Sequence, residues 1–201
     1  MPKNTFIRLP EEKKTRIFDA AVKEFSVRRF SEASLNQIMK TAEIPWGSYY
    51  QYFVDKADLF EYVIGRIGAE LQALEEKKAG DFDALTMFAN KLSSTIELNK
   101  AKPEYVSITL VQYTETDPAV KKFFELQGDH KQMVIQLFER DKARGLIRQD
   151  VDSEAVIDMV YLLSRETFVS CGADPDAYLT RMESYLKIIR AGIENPRASA
   201  D

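Results

Sequence analysis

Apolar residues recur along this chain at intervals of three and four, and no stretch alternates apolar with polar positions long enough to make a strand. The pattern predicts an all-α protein. Pro10 brings a helical φ and no amide to leave unpaired, and Glu11 and Glu12 suit the positive end of a helix dipole, so a first helix opens there. Its buried stripe is Phe18, Ala21, Val22 and Phe25. A second helix starts at Ser34, whose hydroxyl accepts from the amide near Gln37 while the Gln37 side chain reaches back, a reciprocal capping box. Leu35, Ile38, Met39 and Ala42 form its apolar face. Glu43-Ile44-Pro45 then breaks the helix, because proline drives Ile44 towards extended backbone and is itself suited to start a new helix. That third helix is short, from about Trp46 to Phe53. Asp55 caps a fourth at Lys56, in which Leu59, Tyr62, Val63, Ile67 and Leu71 sustain a stripe towards Lys78.

Beyond Gly80 the caps and breakers mark five further segments: Asp81 to Asn99, Pro103 to Thr114, Pro118 to Arg144, Ser153 to about Ser170, and Pro175 to Ile193. Asp117-Pro118 and Asp174-Pro175 each join a capping carboxylate to a first-turn proline, and Gly145 follows Arg144 as a stop. Gly128 is a point at which the Pro118 segment can split. No repeat is present, and Asn195 to Asp201 reads as a frayed tail.

A chain of 201 residues with 45% hydrophobic content can bury a core, or two of unequal size. No apolar run approaches the roughly 20 residues that cross a membrane, and the polar start MPKNTFIRLPEE lacks the apolar segment of a secretory signal. The cytoplasm is the expected compartment. Cys171 has no partner for an internal disulfide, and with only His130 beside it there is no usual four-ligand zinc site, so neither metal nor cofactor is expected. His130 reads as an ordinary helix residue and Cys171 as a packed thiol. The net charge of −4 hides an asymmetry: residues 1–56 hold ten Lys and Arg against seven Asp and Glu, a net +3, which leaves −7 for the remainder. The positive end is the candidate polyanion binder.

Two short helices joined by a three-residue turn fit the unit that lays a recognition helix in the major groove. Tyr49 and Phe53, four apart, can anchor the third helix on a core of Ile38, Ala42 and Ile44. Trp46, Gly47, Tyr50 and Gln51 then form a neighbouring exposed face. Gln51 can present a bidentate amide to adenine, whereas Trp46 offers one indole proton or apolar contact with a thymine methyl. Lys3 and Arg8 read either as an arm for the minor groove or as a solvated basic end.

These residues resemble the TetR/AcrR family of transcriptional regulators. The resemblance rests on Arg16-Ile17, Ala20-Ala21, Phe25, Phe30, Ser34-Leu35, Ile38, Ala42, Ile44, Gly47-Ser48, Tyr50, Phe53, Lys56 and Leu59. The later residues agree only in length, helicity and the phrase Gly145-Leu146-Ile147-Arg148 with Asp150. The resemblance implies a three-helix helix-turn-helix domain, residues 1–55, followed by a larger helical domain for effector binding and dimerisation, residues 56–201. It implies DNA contacts by Ser34, Trp46, Gly47, Ser48, Tyr50, Gln51, Tyr52 and Lys56, with Ser48, Tyr50, Tyr52 and Lys56 on phosphates. Gly47 would let the backbone come close. Three positions depart from the family pattern: Glu43 and Arg29 stand where glycine is usual, which raises the question of left-handed backbone, and Pro45 replaces a Ser or Thr cap.

The implied partners are an operator duplex, a small-molecule effector and a second copy paired through the last two long helices. Tyr105, Tyr113, Phe124 and Phe168 are the candidates for an effector pocket, as aromatics with a few phenolic hydroxyls suit a partly hydrophobic ligand. Arg165 and Glu166 read either as pocket or interface residues or as an exposed pair. No activated nucleophile, phosphate loop or dinucleotide fingerprint points to an enzyme. The remaining alternative is a helical ligand-binding or adaptor protein without specific DNA binding.

Overall fold

Proline and aspartate punctuation sets most helix boundaries in the computed structural model, which describes residues 2–78, 80–108, 117–126, 129–171 and 174–196. Tyr113, Gly128 and residues 197–201 lie outside the described residues, as do the side chains of Phe123, Phe124 and His130. The helices are α1 (Asn4–Ile7), α2 (Glu11–Val27), α3 (Leu35–Thr41), α4 (Tyr49–Tyr52), α5 (Lys56–Glu76), α6 (Ala84–Ala101), α7 (Pro118–Leu126), α8 (Asp129–Ala143), α9 (Ser153–Cys171) and α10 (Pro175–Ile193). Short 3-10 turns occupy Phe30–Glu32 and Trp46–Ser48, and residues 104–108 are also helical. Among the described residues there is no strand, only an isolated bridge between Ile147 and Glu194.

The expected caps are formed. Asp117 accepts from the Ala119 amide at 2.8 Å, and Asp174 accepts from the amides of Asp176 and Ala177 at 3.0 Å. Two boundaries differ from the sequence reading. Residues 4–7 form a helix that the pattern did not predict, and α6 begins at Ala84 rather than Asp81. The reason for the second is a set of three carboxylates. Asp83 accepts from the Thr86 amide at 3.0 Å, and the fully buried Asp141 accepts from the Ala84 amide at 2.6 Å, so the helix starts between them. Asp81 is instead drawn off by Arg144, at 2.9 Å.

The chain forms two compact units: Met1–Ala73 with Ala101–Leu126, and Leu74–Lys100 with Gln127–Asp201. In the first, α2 buries Ile17, Phe18, Ala21, Val22 and Phe25, and α5 buries Leu59, Phe60, Val63 and Ile67. Phe25, Phe30 and Phe60 meet with ring centroids 5.2 to 6.2 Å apart. In the second, Leu85, Leu92 and Ile96 of α6 pack in one cluster with Phe138, Val156, Ile157, Val160, Tyr178, Met182, Leu186 and Ile189. Tyr178 and Ser164 share a buried hydrogen bond of 2.7 Å, which satisfies both hydroxyls in an otherwise apolar interior.

Two helices end in the same way. After α8, Gly145 takes φ +75, its amide donates to Lys142 O and the Leu146 amide donates to Asp141 O. After α3, Glu43 takes φ 57, its amide donates to Lys40 O and the Ile44 amide donates to Met39 O. Both are Schellman stops, in which a left-handed residue lets two late carbonyls be satisfied. Glu43 carries a Cβ where glycine carries none, at a cost of about 1 kcal/mol. Glu43→Gly is therefore expected to raise stability by up to about 1 kcal/mol, the exposed 3.3 Å ion pair with Arg16 counting for little against it. A urea midpoint that falls, at unchanged slope, would contradict this account.

Candidate nucleic-acid interface

The turn at Glu43 delivers the chain to Pro45, which precedes the 3-10 turn of Trp46–Ser48 without a side-chain cap, and α4 follows directly. Ile38 and Met39 of α3 and Ala42 at its end are at most 1% exposed, and Tyr49 and Phe53 are fully buried, as their spacing leads one to expect; Phe53 meets the rings of Phe6, Tyr49 and Tyr62. The Tyr49 hydroxyl donates to Asp55 O at 2.6 Å. Burial, and then the neighbouring Asp55 and Asp58 carboxylates, push its pKa well above the ordinary tyrosine range, so the phenol stays a neutral donor. Asp55 in turn accepts from the Asp58 amide at 2.9 Å, and Asp58 accepts from the Val54 amide at 2.9 Å, which fixes the entry to α5.

At the start of α3, Ser34 accepts from the Gln37 amide at 3.3 Å as expected. The returning half of the box is different. Gln37 Nε2 donates to Thr41, one turn on, and it is Glu24 of α2 that accepts from the Ser34 amide, at 2.9 Å. Glu24 is 7% exposed and also pairs with Arg28. A tertiary contact thus supplies what a local one was expected to supply. Arg29, at φ −58, has ordinary extended backbone and carries no left-handed strain.

Trp46 is 43% exposed and Tyr50 56%, and Gly47 and Gln51 are exposed with them. The indole of Trp46 lies parallel to the buried Tyr49 ring at 5.7 Å and meets Tyr50 edge-on at 5.9 Å, so an exposed aromatic face stands on a buried one. Ser34, Ser48, Tyr52 and Lys56 are half-buried. Lys56 donates to Ser31 O and Ala33 O, at 3.0 and 3.2 Å, and lies over the Phe30 ring. An ammonium has three protons, so two such bonds leave one for an anion. A Cβ built on Gly47 would meet nothing within 4 Å. The chain itself does not require glycine there, whereas a close-approaching partner would.

Sequence reasoning did not find the N-terminal segment. Phe6 is 2% exposed and meets Tyr52, Phe53 and Tyr62 at 6.2, 4.7 and 4.8 Å. Its one sequence signal is an aromatic alone in a polar stretch.

The effector candidates belong to different units. Tyr105, 2% exposed, belongs to the first unit, where it lines a cleft of about 330 Å³ with Phe18, Val22, Lys23, Lys102 and Glu104. Its hydroxyl lies 3.3 Å from Glu70 and 3.1 Å from Lys102 Nζ, and burial raises its pKa. Phe168 belongs to the second unit and packs edge-on against Tyr178 at 5.6 Å. Tyr113 and the Phe124 side chain lie outside the described residues. A small apolar cavity of about 10 Å³ in the second unit is lined by Leu85, Phe88, Val134, Phe138, Ile157, Val160 and Tyr161, none of them singled out for a pocket from the sequence. Arg165 and Glu166 form an exposed pair at 3.3 Å.

Residues 17–63 match the family model described as bacterial regulatory proteins, tetR family. An uncharacterized HTH-type transcriptional regulator, YdgC, of Bacillus subtilis (strain 168) is 28% identical over 191 residues, which cover 94% of this chain and 87% of that one. A TetR family transcriptional regulator from Chloroflexus aurantiacus J-10-FL has a similar structure, with TM-score 0.69, 23% identity and coverage of 96% of this chain and 99% of that one. The regulator FadR from Bacillus subtilis, in complex with stearoyl-CoA, gives TM-score 0.73 at 18% identity, with 90% and 100% covered. Residues 17–63 are thus similar to the tetR family, and the chain as a whole is similar to an HTH-type transcriptional regulator and shares its fold with TetR-family structures.

Because Gly47 has open space around it, Gly47→Ala is expected to leave thermal stability nearly unchanged and to weaken binding to duplex DNA. Equal DNA binding by the two proteins would remove the argument for close backbone approach.

Proposed function

We propose that this regulator is a repressor that binds a near-palindromic operator as a dimer and leaves it when a small molecule binds. The observation that carries the reading is the exposed face of Trp46, Gly47, Tyr50 and Gln51 held on the buried Tyr49 and Phe53. Residues 1–55 act as the DNA-binding domain and residues 56–201 as the effector and dimerisation domain. Ser34, Ser48, Tyr50, Tyr52 and Lys56 contact phosphates and fix register, while Gln51 and Trp46 reach base edges.

A second copy pairs through α9 and α10. Met159, Leu162 and Val169 of α9 are 46%, 53% and 63% exposed, and Ile188 of α10 is 70% exposed. On α10, Ala177, Ser184 and Ala191 share an exposed face with Ile188, which lets another helix come close. Apolar side chains exposed on two consecutive long helices favour burial against a twin. Two copies would then set their reading helices about one duplex turn apart, roughly 34 to 36 Å.

The effector is partly hydrophobic, and Tyr105, in the first unit, is its proposed contact; Phe168 belongs to the second unit, and Tyr113 and the Phe124 side chain lie outside the described residues. The cleft at Tyr105 supports such a ligand in that Phe18, Val22 and Tyr105 line it together with Asp19, Lys23, Ser26, Lys102 and Glu104. For release to follow, the effector must bind the DNA-free form more tightly than the DNA-bound form. The continuous helix α5, with Lys56 at one end and residues of the second unit from Leu74 onwards, is the proposed lever.

Gel shift against the DNA upstream of the chain's own gene, at two salt concentrations, tests the reading. Specific binding is expected to weaken steeply with salt through counterion release, and binding that ignores both sequence and salt indicates an adaptor instead. Tyr50→Phe is expected to weaken binding to many sequences alike, and Gln51→Ala to relax preference at one base by about 1 to 3 kcal/mol. Uniform loss for both contradicts the assigned roles. Leu162→Lys is expected to shift the sedimenting species from dimer to monomer, and an unchanged dimer would move the interface elsewhere.

A further inference from the structure

The reading helix α4 has only four residues, Tyr49–Tyr52. One turn of helix fixes its dihedrals for almost no internal hydrogen bonds, so it does not hold its shape alone. Its last carbonyls have no partner further along the chain, because Phe53 is already extended, with φ −127 and ψ 155. Three successive carbonyls of this segment are instead satisfied from the N-terminus. Lys3 Nζ donates to Tyr50 O at 2.7 Å, Thr5 Oγ1 donates to Gln51 O, and the Lys3 amide donates to Tyr52 O at 2.9 Å. The Lys3 cation also sits at the negative end of the helix dipole, where it is favourable. Phe6 pins this segment down by its burial among Tyr52, Phe53 and Tyr62.

We propose that residues 3–6 are a clip that positions the DNA-reading helix and sets its sequence discrimination, without themselves contacting DNA. The proposal rests on the reading of α4 as the DNA reader. The two carbonyls gripped by side chains belong to Tyr50 and Gln51, the residues whose own side chains point outward for phosphate and base. Holding the backbone there fixes where those side chains start. A base contact depends on that placement more than a phosphate contact does, since bidentate pairing is directional and a point charge is not. The Lys3 ammonium gives one of its three protons to a carbonyl of its own chain, so its part in holding α4 does not require that it lie in a groove.

The test uses the full chain carrying Lys3→Met and Thr5→Val together, with Thr5→Ser as the conservative control and operator duplexes selected from random sequence by the wild type. Amides of Tyr52 and Phe53 in the free double variant are expected to exchange about tenfold faster, with those of α3 unchanged. Its ratio of selected to random duplex affinity is expected to fall about tenfold. The slope of log affinity against log salt is expected to stay that of the wild type, and Thr5→Ser to behave as the wild type throughout. A slope reduced by about 0.9 would mean that Lys3 neutralises a phosphate, and would overturn the clip. Unchanged exchange at Tyr52 and Phe53 overturns it as well. If the wild type selects no sequence while exchange still rises in the variant, the clip holds the helix and the DNA reading itself has failed.

Discussion

A helix of a single turn, α4, is the constraint on which the first unit depends. Nucleating a helix is unfavourable and four residues add too few bonds to recover the cost, so α4 exists only because other parts of the chain hold it. Tyr49 and Phe53 do this from beneath, both fully buried and four apart. The Tyr49 hydroxyl then reaches past the helix to Asp55 O, tying α4 to the cap of α5. At the other end the Schellman stop at Glu43 sets the direction in which the chain leaves α3. The exposed side chains are ordered at second hand, through a scaffold that is almost entirely aromatic.

Each unit relies on a buried carboxylate, in a place where a side chain without an acceptor would leave an amide unpaired. Glu24 accepts from the Ser34 amide, and Asp141 accepts from the Ala84 amide; each also meets an arginine, Arg28 and Arg140. Each carboxylate therefore ends a helix N-terminus that belongs to another element. Removing such a group leaves a buried donor without an acceptor, which costs more than the bond contributes. The left-handed Glu43 is the reverse case. Its strain of about 1 kcal/mol is small beside the burial that Ile38, Met39 and Ile44 secure once the turn is made.

Where the sequence was legible, the signal was local. Pro10, Ser34, Asp55, Asp117 and Asp174 act on amides two or three residues away, and Gly145 acts on carbonyls just behind it, so each could be read from its neighbours. The anchoring of α4 was legible for the same reason, since Tyr49 and Phe53 share a face by spacing alone. Long-range partners were not legible. Nothing near Ser34 announces Glu24 ten residues earlier, and nothing in MPKNTF announces carbonyls more than forty residues away. The start of α6 at Ala84 was not legible either, because the Asp141 that accepts from the Ala84 amide stands 57 residues further on. Tyr105 illustrates the limit for ligands: its phenolic hydroxyl suggested a pocket, and that hydroxyl is already engaged by Glu70 and Lys102.

The same rigidity bears on how an effector can act. Phe25, Phe30 and Phe60 interlock, Phe6 closes over Phe53 and Tyr62, and each ring is held by at least two others or by a hydrogen bond. A core packed in this way does not deform by degrees, because shifting one ring opens a gap beside the next. A ligand that distorted the reader within one subunit would have to offset the loss of that packing. Moving one intact reader relative to its twin costs none of it. Under the proposed dimeric arrangement, spacing between readers is therefore the softer coordinate. Its scale is also demanding, since the half-sites of a duplex recur only once per turn, about 34 to 36 Å. A displacement of a few ångströms in that spacing then suffices to deny one reader its groove while leaving each domain folded as before.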